Sequence, residues 1–450
     1  MHTTSCWHSR ARALGSLATC ITIVACADRV TGPEALNGAT EVSLRRSASR
    51  VECDAGNGGI TLPPGFCAVV VADQVGRARH LDVTQTGDAY VAIGDATHGG
   101  GVLALRDRDG DGRAETRAYF GAPSANGIVV TKEFLYVGYR DRIERWRLHS
   151  SDLLPRGAPE VVVGGLPSDG DHFRKNMQLD GRGNMYVNIG SASNSCQVAN
   201  RVAQSPGVDP CPELPIRAGV WRFSASRTGQ TQADGMRFAT GLRNMEALRW
   251  DEGRGALFGV QHGRDHLNDN WPQFYTPQDG ADLPSEEFVR IDQGDDNGWP
   301  YCYHDWKKSL KLLAPEYGGN GTIVGPRCAD KETPLVAFPG HWAPNDLLFY
   351  GGRQFPSRFR GGAFVAFHGG FDRAPLPNEG FNVVFVPFGG QTPVGGWEVF
   401  ADGFIGNSTN PPADAEHRPM GLAEGPDGSL FISDDDGGRI WRVVFRGRDR

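Results

Sequence analysis

The sequence predicts an all-β chain folded as a six-bladed β-propeller, and three observations predict it. A strand–turn–strand–loop–strand unit recurs six times along the chain, at unequal spacing. The 61 Gly and 29 Pro among 450 residues mark a turn-rich chain, while 39% hydrophobic and 22% charged residues are globular values. The length also exceeds what one ordinary core serves, so several domains or a repeat architecture is required. A pair of sandwiches would supply many short strands but not the same turn inside every unit. Insertions at rim loops, which a propeller tolerates, account for the unequal spacing.

The first copy covers residues 78–106, with His80-Leu81-Asp82-Val83, a Gly87-Asp88 turn, then apolar runs over 90–93 and 101–105. The second covers 126–148, with strands over 127–130, 135–137 and 142–146. The third opens on residues 169–191, where Met177 and Leu179 end one strand, Asp180-Gly181-Arg182-Gly183 turns, and 185–189 forms the next. Its last strand, 219–223, returns after a long Cys-bearing insertion. The fourth has 245–250, a turn at Asp251-Glu252-Gly253, then 256–259 and, beyond another insertion, 288–291. A looser fifth has 347–350, 363–367 and 383–386. The sixth, with 421–423, Pro426-Asp427-Gly428, 430–432 and 439–442, is the cleanest.

The first 50 residues differ from this body. Arg10 and Arg12 precede an apolar run over 13–25, the layout of an export signal, and residues 1–26 are read as one. The run closes on Ile23-Val24-Ala25-Cys26, which resembles the lipobox of bacterial lipoproteins. That resemblance implies lipidation of Cys26 and membrane association through an anchor, without a span. Residues 27–50 have no strand or helix period and read as a flexible tether, leaving 51–450 to the propeller. The expected location is the bacterial envelope or periplasm. Cys53, Cys67, Cys196, Cys211, Cys302 and Cys328 remain, and six cysteines allow fifteen connectivities. Their clustering favours Cys53–Cys67, Cys196–Cys211 and Cys302–Cys328, bridges that an oxidising compartment permits. No Cys-x-x-Cys-His occurs, so no c-type haem is attached. The formal net charge of −7 gives no basic footprint, which argues against nucleic acid as a partner.

Loops ahead of and between strands carry the candidate chemistry. Asp171-His172 is Gly-flanked and stands just before a strand. Thr240-Gly241-Leu242-Arg243-Asn244 leads into the fourth copy, and Gln261-His262-Gly263-Arg264-Asp265 follows its second strand. His341, the run His368 to Arg373, and Glu416-His417-Arg418 occupy comparable places later in the chain. Singly, each reads as a solvated rim residue. Together, Arg and His at equivalent blade positions would make a cationic well for an anionic ligand. Asp107, Asp109 and Asp111 alternate around Gly110 like the first half of an EF-hand loop and suit Ca²⁺, or form a solvated acidic turn; Glu115 is not at EF-hand spacing.

On these motifs the chain resembles the soluble quinoprotein sugar dehydrogenases, the glucose and sorbosone dehydrogenases, over about residues 78–442. The resemblance rests on Gly170-Asp171-His172, Ala239-Thr240-Gly241-Leu242-Arg243-Asn244, Gly263-Arg264-Asp265, Gly298-Trp299-Pro300-Tyr301-Cys302, Phe364-Val365-Ala366-Phe367-His368-Gly369-Gly370, and Arg418-Pro419 ahead of Gly425-Pro426-Asp427-Gly428. It implies pyrroloquinoline quinone (PQQ) with Ca²⁺ as cofactors, oxidation of an aldose or related sugar, and an external electron acceptor such as a cytochrome or quinone. His172 matches the family's general base. Arg243 and Asn244 match residues that contact the quinone, and Gly263 and Arg264 match carbonyl ligands of Ca²⁺. Arg418 matches a partner of a cofactor carboxylate, with Arg373 a further basic candidate. Ser191 stands where glucose-dehydrogenase members carry an Asp that orients the His, leaving Asp171 as an alternative orienting group. Met420 replaces a second Arg, and Ala125-Asn126 lies where a glutamine is usual. Two other readings stay open: a Ca²⁺-dependent propeller lactonase using Asp171, Asp265 and Asp372, and a non-catalytic propeller that binds carbohydrate or protein.

Overall fold

Each of the six blades is an antiparallel sheet of four strands, one strand more than each repeat showed. The computed structural model describes residues 51–149 and 151–447. The expected signal over 1–26, the lipidation site Cys26 and the tether over 27–50 lie outside the described residues. Blade one comprises Ala78–Val83, Ala89–Ile93, Val102–Arg106 and Thr116–Phe120; blade two comprises Ile128–Val130, Phe134–Gly138, Ile143–Arg147 and Glu160–Val163. Blade three uses Met177–Leu179, Asn184–Ile189, Gly219–Ser224 and Met236–Thr240, and blade four Ala247–Asp251, Ala256–Gln261, Glu286–Ile291 and Val336–Phe338. Blade five uses Pro344–Phe349, Ala363–Phe367, Asn382–Val386 and Glu398–Ala401.

Blade six holds Pro419–Glu424, Leu430–Asp434 and Ile440–Phe445, and takes its outer strand from the other end of the chain. Phe66–Ala72 pairs antiparallel with Ile440–Phe445, from Phe66 opposite Phe445 to Ala72 opposite Ile440. That pairing closes the ring. The architecture is the six-bladed propeller read from the repeats.

The middle strands are buried on both faces, as in Ala89–Ile93 and Ala363–Phe367, because each sheet lies between two others. Six apolar clusters result, one in each seam between neighbouring blades. Between blades five and six, Phe355, Phe359, Phe364 and Phe400 interlock with Phe66 from the closing strand. Each fully buried ring contributes roughly 1.5–3 kcal/mol, so this seam holds the closure.

A central channel follows. At one end, a cavity of about 1020 Å³ is lined by innermost-strand residues of every blade, among them Asp82, Val130, Gln178, Arg249, Leu348 and Glu424. Toward the other end the channel is plugged by polar groups. His80 lies between the carbonyls of Asn126 at 3.0 Å, Asn345 at 3.0 Å and Glu246 at 3.2 Å. Arg79 reaches Asn126 Oδ1 at 2.5 Å and Asp435 at 2.6 Å. Beyond the plug stand the loops the sequence singled out. The disulfides are Cys53–Cys67, Cys196–Cys211 and Cys302–Cys328, the pairing that clustering favoured. Two of them staple the insertions of blades three and four.

Candidate active site

His172 lies on the loop entering blade three, and its neighbours fix that loop. Gly170 has φ +83°, and a Cβ there would fall 2.4 Å from Ala192 Cα, so only glycine fits. The buried Lys175 donates to Pro167 O at 2.7 Å and to Phe173 O, gripping the loop on both sides of His172. Burial pushes the Lys175 ammonium down to about 7.

The His172 ring is half-buried, with Nδ1 2.9 Å from Ser191 Oγ and 3.1 Å from Ser191 O. Ser191 Oγ itself donates to Ser193 O at 2.7 Å. The hydroxyl proton is therefore occupied, and Oγ and the carbonyl can only accept from Nδ1. This places the ring proton on Nδ1 and leaves Nε2 with its lone pair free. Burial and then Arg243 hold the His172 pKa well below its ordinary 6.5, against the pull of Asp265, so the ring is neutral near pH 7. Ser191 thus supplies the orienting contact. Asp171, the expected alternative, does not: its carboxylate goes to Arg201 at 3.1 Å.

Arg243 lies beside the base, but its guanidinium faces protein. It donates to Asn194 O, Gly263 O, Asn194 Oδ1 and Asp265 Oδ2, four of the five donors a guanidinium has. The expected direct grip on a quinone therefore shrinks to one N–H. Asn244 differs. Its Oδ1 is buried without any hydrogen-bond partner, next to Gly190, where a Cβ would lie 2.6 Å from His172 Cβ and 3.3 Å from Asn244 Oδ1. An unsatisfied buried acceptor beside the base is available to a donor from a ligand or from water.

The expected carbonyl ligands fare unequally. Gly263 O accepts from Arg243 at 2.8 Å, which occupies one of its two lone pairs. The Arg264 side chain is buried against Glu316. Asp265 carries the loop's usable charge. Its Oδ2 pairs with Arg243 and Arg201, both at 2.9 Å, while Oδ1 lies 3.7 Å from His341 Nδ1. Asp265, His341 and Asp372 each present a ligand atom within 4.8 Å of the others. Burial and Asp265 raise the Asp372 pKa, and its Oδ2 has no hydrogen-bond partner. With Asp171 and Asp265 both paired to arginines, the acids expected of a lactonase cage are largely engaged.

At the same end of the blades as His172 stand four further arginines. Arg418 donates to His368 O at 3.0 Å and to Gly369 O. Arg77 reaches only Asp435 O, at 3.2 Å. Arg140 and Arg174 flank the Phe173 ring at 4.1 and 5.2 Å. None of these four guanidiniums forms an ion pair with a described carboxylate. Arg79 and then burial pull the Arg174 pKa down; burial lowers that of Arg418, with Arg77 adding to the effect. Asp435, Glu246, Asp434 and Asp436 offset these cations in part, and guanidiniums without a direct carboxylate pair suit a polycarboxylate. Sequence reasoning found Arg418 and missed Arg77, Arg140 and Arg174. The signal available was position, since Arg77 and Arg174 stand just ahead of innermost strands, as Arg243 and Arg418 do.

Arg373 does not join the cluster. It is buried, bound to Gly340 O at 2.7 Å and paired with Asp282 and Glu379. Asp107, Asp109, Asp111 and Glu115 do converge within 4.8 Å, on the hairpin between the third and outer strands of blade one. By strand direction, that hairpin is at the opposite end of the blades from His172.

Comparison with known proteins gives matches of three kinds. The TrAA12-like family profile matches residues 60–445. The calcium structure of Trichoderma reesei Carbohydrate-Active Enzymes Family AA12 superposes with a TM-score of 0.70 at 18% identity, covering 86% of this chain and 97% of that one. The holo PQQ domain of pyranose dehydrogenase from Coprinopsis cinerea gives 0.69 at 17% identity, covering 86% and 97%. The apo aldose sugar dehydrogenase of Escherichia coli gives 0.55 at 14%, covering 85% and 100%. A Borreliella burgdorferi protein described as "Uncharacterized protein" is 24% identical over 209 residues, 46% of this chain and 48% of its own length. The chain therefore spans about half of that curated relative.

Proposed function

Because the chain belongs to the TrAA12-like family, we propose that it is a PQQ-dependent dehydrogenase oxidising an aldose or related sugar. The observation that carries this reading is the set Arg77, Arg140, Arg174 and Arg418, which form no ion pair with a described carboxylate and stand at the same end of the blades as a neutral histidine. An anionic tricarboxylic quinone fits those cations, and the orphaned Asn244 Oδ1 supplies a polar contact at its edge. Such a quinone, when bound, supplies a two-electron acceptor for the hydride leaving the sugar carbon. A Ca²⁺ accompanying it would meet the Gly263–Asp265 loop, where Asp265 Oδ1 lies outside the two arginine pairs and Gly263 O keeps a second lone pair beside its bond from Arg243.

His172 performs the proton step in this reading. Its Nε2 lone pair takes the hydroxyl proton of the substrate while Nδ1–H stays on Ser191, which steadies the imidazolium that forms. Arg243 keeps the neutral form dominant and anchors Asp265. Lys175 and Gly170 hold the base in place. Electrons leave to an external acceptor, a cytochrome or quinone. The apolar run ending at Cys26 and the three disulfides support an exported, lipid-anchored protein of a bacterial envelope.

The test is reconstitution. Purified protein given PQQ and Ca²⁺ is expected to bind the quinone saturably and to reduce a dye with one or more members of an aldose panel. Absence of quinone binding would remove the reading, and hydrolysis of lactones with Ca²⁺ alone would replace it.

A further inference from the structure

Phe371 is 71% exposed, more than any other large apolar side chain among the described residues. A lone exposed ring is ordinary; its setting is not. Two residues on, the buried Arg373 fastens the loop through Gly340 O at 2.7 Å and Pro377 O at 3.1 Å and through its two carboxylate pairs. The ring is thus presented on a pinned loop. Opposite stands a polar wall. Phe371 and Asp372 close one side of a cavity of about 150 Å³, and His266, Asn268, Asp269, Pro277 and Gly280 of the blade-four insertion close the other. That wall is also set in place, by His266 Nδ1 2.9 Å from Asp269 Oδ2 and by Asn268 Nδ2 donating to Tyr275 O at 2.6 Å. Asp372 belongs both to this cavity and to the group with Asp265 and His341, and Asp265 joins Arg243 beside the base. The cavity therefore adjoins the reaction centre.

We infer that this cavity is a second saccharide subsite, holding the neighbouring ring of a glycoside or oligosaccharide whose oxidised unit lies at His172; the inference rests on the sugar-oxidising reading above. A pyranose ring has an apolar C–H face and an edge of hydroxyl donors. Phe371 offers an aromatic face to the first. Asp269 and Asp372 offer acceptors to the second, and Asn268 keeps its amide oxygen for another. Two carboxylates also disfavour phosphorylated or acidic sugars, so the ligand is a neutral saccharide.

The experiment is calorimetric titration of glucose, cellobiose, maltose and xylobiose into wild type and Phe371→Ala, with and without bound quinone. At least one disaccharide is expected to bind wild type about tenfold or more tightly than glucose, and Phe371→Ala to bring that ratio down to about one. A ratio near one for all three disaccharides in wild type, or a ratio unmoved by Phe371→Ala, overturns the subsite. Glucose oxidation by quinone-loaded protein with no disaccharide advantage removes the subsite alone. Failure to bind any sugar or the quinone removes the sugar-oxidising reading with it.

Discussion

Ser191 Oγ lies 2.9 Å from His172 Nδ1 and donates its own proton to Ser193 O, so a neutral hydroxyl fixes the tautomer of the proposed base. A neutral acceptor orients the ring and raises its basicity less than a carboxylate would. Ser191→Asp is therefore expected to move the acid limb of the kcat/KM profile to higher pH and to raise turnover. Ser191→Ala keeps only the carbonyl contact and is expected to lower kcat about tenfold, the scale of one lost charge-assisted hydrogen bond. Identical pH profiles for all three forms would show that Ser191 does not act through the ring.

His172→Ala is expected to reduce kcat on the order of 10²- to 10⁴-fold, the usual loss for a positioned general base. Quinone affinity should stay nearly unchanged, since the cations that meet it lie elsewhere. Single-turnover rates and a binding titration on the same preparation separate the two quantities.

Stability should reflect the same histidine. Its pKa is lowered on folding from 6.5, chiefly by burial and Arg243. Below about pH 6.5 the unfolded chain binds a proton that the folded ring resists, so this group's contribution falls as pH drops through that value. His368 is lowered too, by burial first, and acts in the same direction. His341 is raised, Asp265 outweighing burial; its contribution is present below 6.5 and lost as pH rises through its folded value. The His172→Gln protein is expected to lose less Tm between pH 7.5 and 5.5 than wild type, measured by calorimetry. An equal or larger loss would mean the ring is not held neutral.

The seam between blades five and six offers a check on the fold. Phe364 is fully buried there, and Phe364→Ala is expected to cost about 3–5 kcal/mol in denaturant unfolding. A cost under about 1 kcal/mol would mean that this seam does not hold the ring closed.

The inner three strands of each blade were legible because they are apolar and end at Gly or Asp turns. Outer strands such as Thr116–Phe120 and Glu160–Val163 are partly exposed edges, without the two-sided apolar run that marks a strand. The closing strand Phe66–Ala72 escaped notice because its partner stands at the far end of the chain. In the candidate site, His172, Asn244 and Arg418 stand on local motifs that the sequence displays. The Arg201 bridges to Asp171 and Asp265 were not legible, because they join residues 30 and 64 positions apart. For the same reason Arg243 and Arg373 read as ligand cations, when tertiary carboxylates and carbonyls already hold them. Arg77 and Arg174 carry no local motif, and only the ring of blades brings them to one end of the molecule.

Anchoring through Cys26 is separable from all of this. Cys26→Ser is expected to shift the protein from the membrane to the soluble fraction while leaving its Tm unchanged. A variant that still sediments with membranes would refute the lipobox reading.

The most direct test of the central claim is a fluorescence titration of PQQ, without sugar, into wild type, Arg174→Gln, Arg418→Gln and the double variant. Each charged contact to a carboxylate is worth about 1.5–3 kcal/mol, or roughly 10- to 100-fold in Kd. The arginine well predicts saturable binding by wild type, a loss of that size in each single variant, and a larger loss in the double. Equal affinity across all four proteins, or no binding by wild type, would contradict it.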